Sequence, residues 1–190
     1  MENTTSQYHQ TESQITSEEE VLKKAIKNPQ EFAPIYDKYY LQLFKYTLQR
    51  VNNEHIASEI VSDVFAKAIY NLPKYKFKGY PFSAWLYRVA YNEITNRHRK
   101  NKSTRTVNIP IESLPDFEEE ESVEEDLLSM KKMKSCLKLL KPNDIHFIEL
   151  RFFEKRSFKE IGEILEITTD NARVKTHRAL TKLKKLFKKH

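Results

Sequence analysis

Only two glycines, Gly79 and Gly162, occur among 190 residues, and that scarcity constrains the fold more than any other feature of the chain. Tight hairpins and phosphate-cradling loops require positive φ or close backbone approach, which glycine supplies best. Helices make no such demand, so the expected fold class is all-α. The length suits one domain or two small ones.

Charge divides the chain. Residues 31–100 carry 11 Lys/Arg against 6 Asp/Glu, residues 101–126 carry 2 against 9, and residues 127–190 carry 17 against 7. Two basic blocks around an acidic strip imply two domains facing a polyanion, joined by a flexible linker that the polyanion repels.

Periodicity places the elements. Residues 1–16 are polar and without pattern, a disordered tail. Ser17 with Glu20 three residues on forms a capping-box pattern ahead of Val21, Leu22 and Ala25. Asn28-Pro29 opens a longer helix on Phe32, Ile35, Tyr39 and Leu43. Asn53 caps the next, with Ile60, Val64 and Ala68 on one stripe and Glu59 and Asp63 beside it, until Pro73 ends it. After the loop LPKYKFKGYP, residues 72–81, a helix presents Trp85, Leu86, Val89, Ala90 and Ile94 on one face and Arg88, Asn92, Asn96 and Arg99 on another. The pattern lapses from Asn101, and FEEEESVEED is too acidic to bury. It resumes at Leu127, and Asn143, Ser157 and Thr168 read as N-caps of helices over 144–153, 158–165 and 169–187.

Segment 157–180 therefore has a short amphipathic helix, a break and a basic helix, the helix-turn-helix arrangement. Gly162 falls inside the first helix, where glycine costs about 1 kcal/mol against alanine; a close helix crossing accounts for it. On a helical wheel Ala172, Thr176, Ala179, Leu180 and Leu183 point inward. Val174, His177 and Arg178 point outward, flanked by Asn171, Arg173 and Lys175. In a helix lying in the major groove, Asn171, Arg173 and Arg178 are placed for base edges. Lys175, Lys182, Lys184 and Lys185 suit phosphates, although a basic terminal helix can also be no more than a solvated face.

The loop before Trp85 points to a different nucleic-acid chemistry. Aromatics interleaved with Lys74, Lys76, Lys78 and Arg88 suit a single strand, because bases stack on rings while cations follow the backbone. Tyr80, in the loop, is the stacking candidate; Trp85, on the apolar face, is expected to be scaffold.

These residues resemble the extracytoplasmic-function (ECF) sigma factors of bacterial RNA polymerase. IYDKYYLQLFKYTLQRV, the residues around Ala57 to Phe65, and FSAWLYRVAYN resemble region 2; LLKPNDIHFIELRFFEKRSFKEIGEIL and NARVKTHRAL resemble region 4. The resemblance implies a region 2 bundle over 17–100, an acidic linker over 101–122 and a region 4 helix-turn-helix over 123–190. It implies docking on core RNA polymerase through Glu59, Asp63 and Phe65. It implies capture and opening of the minus-ten element by Lys78, Tyr80, Phe82, Arg88, Asn92, Asn96 and Arg99. Asn171 reads from position alone, and Arg173, Val174, Lys175, His177 and Arg178 fall on the helix that enters the minus-thirty-five groove. Promoter DNA, duplex and opened, and an anti-sigma factor are the further partners. Ser62 stands where the family often has glutamine, Asn96 where many members have aspartate, and Glu166 where relatives commonly have glycine. Glutamate is strained at positive φ, so a differently built turn is the expectation at Glu166.

Two other classes compete. A two-domain transcription regulator that does not bind core polymerase would explain the basic C-terminal block but not the aromatic loop. An enzyme has little support: His9, His55, His98, His146, His177 and His190 are scattered, and lone Cys136 sits on an apolar stripe. No cofactor or metal is expected. No run approaches a membrane span and no signal peptide is visible, so the cytoplasm is the expected location.

Overall fold

The computed structural model describes residues 10–101 and 132–189. Those residues form two compact units, one on each segment, and among them every regular element is a helix. Most of the expected tail, the acidic linker and the expected start of region 4 at 123 lie outside the described residues.

The first unit holds α1 (Glu12–Lys27), α2 (Ala33–Val51), α3 (Glu54–Asn71) and α4 (Phe82–Asn101), with 3-10 turns at Pro29–Phe32 and Leu72–Lys74. α1 begins five residues before the expected Ser17. Thr11 is the reason: its hydroxyl accepts the Gln14 amide at 3.3 Å while Gln14 Oε1 accepts the Thr11 amide at 2.9 Å, a complete capping box. Ser17 and Glu20 are then exposed mid-helix residues, and Glu18, Leu22 and Ala25 turn inward. Asn53 caps α3 as expected, accepting the Ile56 amide at 2.9 Å; Asn28 accepts the Gln30 amide at 3.2 Å but caps only the 3-10 turn, and α2 itself starts at Ala33.

The core of this unit forms where α2, α3 and α4 meet. Ile35, Tyr39, Leu43 and Tyr46 of α2 are buried at three-to-four spacing against Ala57, Ile60, Val61, Val64 and Ala68 of α3. The inward face of α4 differs from the expected one. Leu86, Ala90 and Ile94 are buried, but Ser83 and Tyr87 join them, while Trp85 and Val89 are half-buried at the margin. Tyr87 packs on Tyr46 with ring centroids 4.6 Å apart, and that contact rotates the buried stripe by about one position.

The second unit holds α5 (residues 132–139), α6 (Pro142–Ile148), α7 (Phe158–Leu165) and α8 (Thr169–Lys189). The helix expected over 144–153 is α-helical only to Ile148 and widens into a π turn over Glu149–Phe153. Lys141, not Asn143, holds the extended cap position, with Pro142 in the first turn. Ser157 caps α7 as expected: its hydroxyl accepts the Glu160 amide at 3.2 Å, and Glu160 Oε2 accepts the Ser157 amide at 2.9 Å. The other Glu160 oxygen meets Arg156 at 3.1 Å, both side chains being almost fully enclosed.

Gly162 and Glu166 together set the turn. A Cβ at Gly162 would lie 2.8 Å from the Ile167 carbonyl oxygen, so the turn crosses that helix at a distance only glycine permits. The Gly162 carbonyl accepts the amides of both Glu166 and Ile167. Glu166 closes α7 at φ 54 and ψ 44, so this turn has the left-handed geometry that suits glycine, contrary to the expectation of a different construction. Left-handed backbone costs a non-glycine residue about 1–2 kcal/mol. Thr168 then caps α8, accepting the Asn171 amide at 3.2 Å.

Candidate nucleic-acid interfaces

In the first unit the candidate surface begins at the loop before α4. Lys74, Lys76 and Lys78 are exposed, and Gly79 turns the chain at φ 74 with open space around it. Tyr80 is half-buried, and Asn92, Asn96 and Arg99 are exposed along one stripe of α4 with half-buried Arg88 at its head. Arg99 donates to Asn96 Oδ1 at 3.4 Å, so the end of the stripe is loosely ordered within itself. Six of the seven residues expected at the minus-ten element are thus exposed or half-buried, two in the loop and four along this stripe of α4.

Phe82 is the exception. Its ring is 1 % exposed, edge-on to Phe32 at 6.1 Å and to Tyr75 at 5.0 Å, and stacked on Trp85 at 5.6 Å and 14°. No base can reach it without opening the core, and in this position Phe82 supports the loop from within. Trp85, expected as scaffold, is half-buried over it, the outer member of that stack.

Glu18 holds this surface from behind and was not singled out in the sequence. Its buried carboxylate accepts the Phe82 amide at 2.5 Å through Oε1, and Lys38 at 2.8 Å and the Tyr39 hydroxyl through Oε2. A carboxylate at the first amide of α4 satisfies a donor the helix itself leaves open and complements the positive end of the helix dipole.

On α3, Glu59 and Asp63 are exposed, whereas Phe65 is 3 % exposed and packs against Phe32 and Tyr36 at 6.3 and 4.6 Å. Phe65 therefore shapes the helix from inside and offers no outer contact. Glu59 pairs with Arg97 of α4 at 2.9 Å; the hydrogen bond and charge of Arg97 hold its carboxyl below the usual glutamate range.

In the second unit, Ala172, Thr176, Ala179 and Leu183 are buried as expected, with Leu180 half-buried. Asn171, Arg173, Val174, Lys175, His177 and Arg178 are all exposed on the outer face of α8. Lys184 and Lys185 are exposed as well, but Lys182 pairs with Asp144 of α6 at 2.7 Å and braces the helix rather than waiting for phosphate. Cys136 is buried, and burial pushes its thiol up. Among the described residues no helix is long and apolar enough to cross a membrane, and no three His, Cys, Asp or Glu are grouped to hold a metal.

Comparison with known proteins bears on both units. The family model described as Sigma-70 region 2 matches residues 35–104, and that described as Sigma-70, region 4 matches residues 136–185. The chain is 28 % identical over 182 residues to the ECF RNA polymerase sigma factor SigW of Bacillus subtilis, covering 88 % of this chain and 97 % of SigW. Its fold is similar to that of CnrH, solved in complex with the cytosolic domain of CnrY, with a TM-score of 0.61 at 19 % identity over 90 % of this chain and 97 % of CnrH. It is also similar to RpoE of Bartonella quintana, solved with the anti-sigma factor NepR, with a TM-score of 0.58 at 18 % identity over 83 % of this chain and 97 % of RpoE.

Proposed function

Because the chain belongs to the ECF sigma factors, with regions 2 and 4 in the family's order, we propose that it carries core RNA polymerase to specific promoters and opens them there. The observation that carries this reading is the pairing of two differently built surfaces. The polar stripe of α4 with its aromatic, basic loop suits an unpaired strand, and the exposed outer face of α8 suits a duplex groove.

Each surface has a physical task. Extruding a base from the minus-ten element costs a few kcal/mol in unstacking and unpairing, which contacts to the flipped base must offset. Tyr80 stacks, Lys78, Arg88 and Arg99 meet the backbone, and Asn92 and Asn96 offer donors and acceptors to a base edge. Asn171, Arg173 and Arg178 read the minus-thirty-five element, with Val174, Lys175 and His177 completing the contact. Glu59 and Asp63 face the polymerase, while Phe65 and Phe82 hold these faces in place from the core. The polymerase supplies the chemistry, so this chain needs no catalytic group of its own. An anti-sigma factor is the restraining partner, the kind of protein with which RpoE of similar fold was solved, and the cytoplasm is where the protein acts.

In-vitro transcription tests the reading. Core polymerase with the purified chain should initiate at defined start sites absent from core polymerase alone. A chain that binds DNA but neither binds core polymerase nor directs initiation is instead a regulator of another kind.

A further inference from the structure

Phe158, the first residue of α7, stands beneath the outer face of α8. Its ring lies 5.6 Å from the Arg173 guanidinium and 6.3 Å from the His177 ring, tilted by 35°. The guanidinium of Arg151, from the π turn, lies 4.7 Å from the same ring and is itself fixed by donating to the Arg156 carbonyl at 3.0 Å. Phe158 is half-buried, and its backbone is anchored by the Ser157–Glu160 capping box. One fixed aromatic ring thus serves two side chains that lie one turn apart on α8.

Arg173 needs such a support. Its side chain is 55 % exposed, and its acidic neighbour Asp170, itself 89 % exposed, is 3.9 Å away, at the outer limit of an ion pair. An exposed arginine samples many rotamers, and binding must freeze them; a flat ring attracts the guanidinium and leaves its N–H edge directed outward. Preorganisation of this kind raises affinity for the base that the fixed guanidinium matches and leaves phosphate attraction unchanged.

We propose that Phe158 is a positioning residue for promoter recognition, its ring holding Arg173 in place for base readout in the major groove. This rests on the reading of α8 as the minus-thirty-five helix.

The test uses the full chain and a duplex enriched by the wild-type protein from a randomised pool, with a scrambled duplex of equal length as reference. Phe158→Leu should weaken binding to the enriched duplex by about two- to fivefold, the scale of one exposed cation–π contact, and leave the scrambled duplex and the salt dependence unchanged. Phe158→Trp should retain the preference. Phe158→Leu added to Arg173→Ala should cost nothing beyond Arg173→Ala alone. Phe158→Met is a second ringless variant if Phe158→Leu fails to fold by circular dichroism. Equal weakening on both duplexes, unchanged binding, or additivity with Arg173→Ala overturns the proposal. If Arg173→Ala itself leaves the preference intact, or the wild-type chain enriches no sequence, the recognition-helix reading fails along with it.

Discussion

Glu18 and Phe82, 64 positions apart in sequence, are joined by a 2.5 Å hydrogen bond from the Phe82 amide to the Glu18 carboxylate. The bond ties α1 to the first turn of α4, and Lys38 and Tyr39 draw the same carboxylate towards α2. Glu18→Ala leaves a buried amide and hydroxyl without their acceptor and is expected to destabilise the first unit by about 1–3 kcal/mol. Urea unfolding followed by Trp85 fluorescence measures it, and Glu18→Gln, which keeps an acceptor, is expected to lose less.

Tyr80 and Phe82 should separate function from folding. Tyr80→Ala is expected to leave the unit folded and to reduce permanganate reactivity of unpaired thymines at the minus-ten element more than it reduces duplex binding. Phe82→Ala empties a fully packed site and is expected to cost about 3–5 kcal/mol of stability. An unchanged footprint with Tyr80→Ala would remove that ring from base capture.

Arg178 is exposed on α8, with both neighbouring turns anchored by buried Ala172, Thr176 and Ala179. Arg178→Ala is expected to weaken binding to the minus-thirty-five element by about 1–3 kcal/mol. Core-polymerase binding, measured on the same variant by fluorescence anisotropy, is expected to be unaffected.

The Glu59–Arg97 pair carries a pH dependence whose sign is set by its lowered carboxyl pKa. Glu59 ionises more readily in the folded state than at its ordinary value of 4.5, so the stabilisation is present above that pH and fades as the pH falls through the folded value. The urea midpoint of wild type should exceed that of Glu59→Gln at pH 6, by a small margin because the pair is exposed, and the two should converge in acid.

Glu166→Gly should stabilise the second unit. Relief of left-handed strain outweighs the extra freedom glycine brings to the unfolded chain, for a net gain of about 0.5–1 kcal/mol in denaturant unfolding.

What the sequence disclosed was what local chemistry encodes. The caps at Asn53, Ser157 and Thr168 each join residues three apart, and the structure has all three. The Thr11–Gln14 box was equally local, but it competed with the Ser17–Glu20 pattern inside a polar stretch. Glu18 was hidden for another reason: it sits in a run of three glutamates, and nothing within a few residues distinguishes it from its solvated neighbours. The inward turn of Phe82 was not legible because a residue at the junction of loop and helix can face either way, and rings in the 3-10 turn before α2, in the loop and on α4 decide which. The π turn at Glu149–Phe153 adds one residue to a helical ladder, which apolar spacing does not register. Phe158 matched the apolar period of α7, and only the fold brings it to Arg173.

The hydrogen that stands for a side chain at Gly162 lets the chain after α7 lie closer than a methyl group allows. The tilt at which α8 is presented is therefore fixed from within, at a site that no promoter touches in the proposed reading. Positions 171, 173, 174, 175, 177 and 178 lie outside that constraint. Such a reading head can change its text by exchanging outward side chains alone, and related chains can diverge in promoter preference while the angle of approach stays the same.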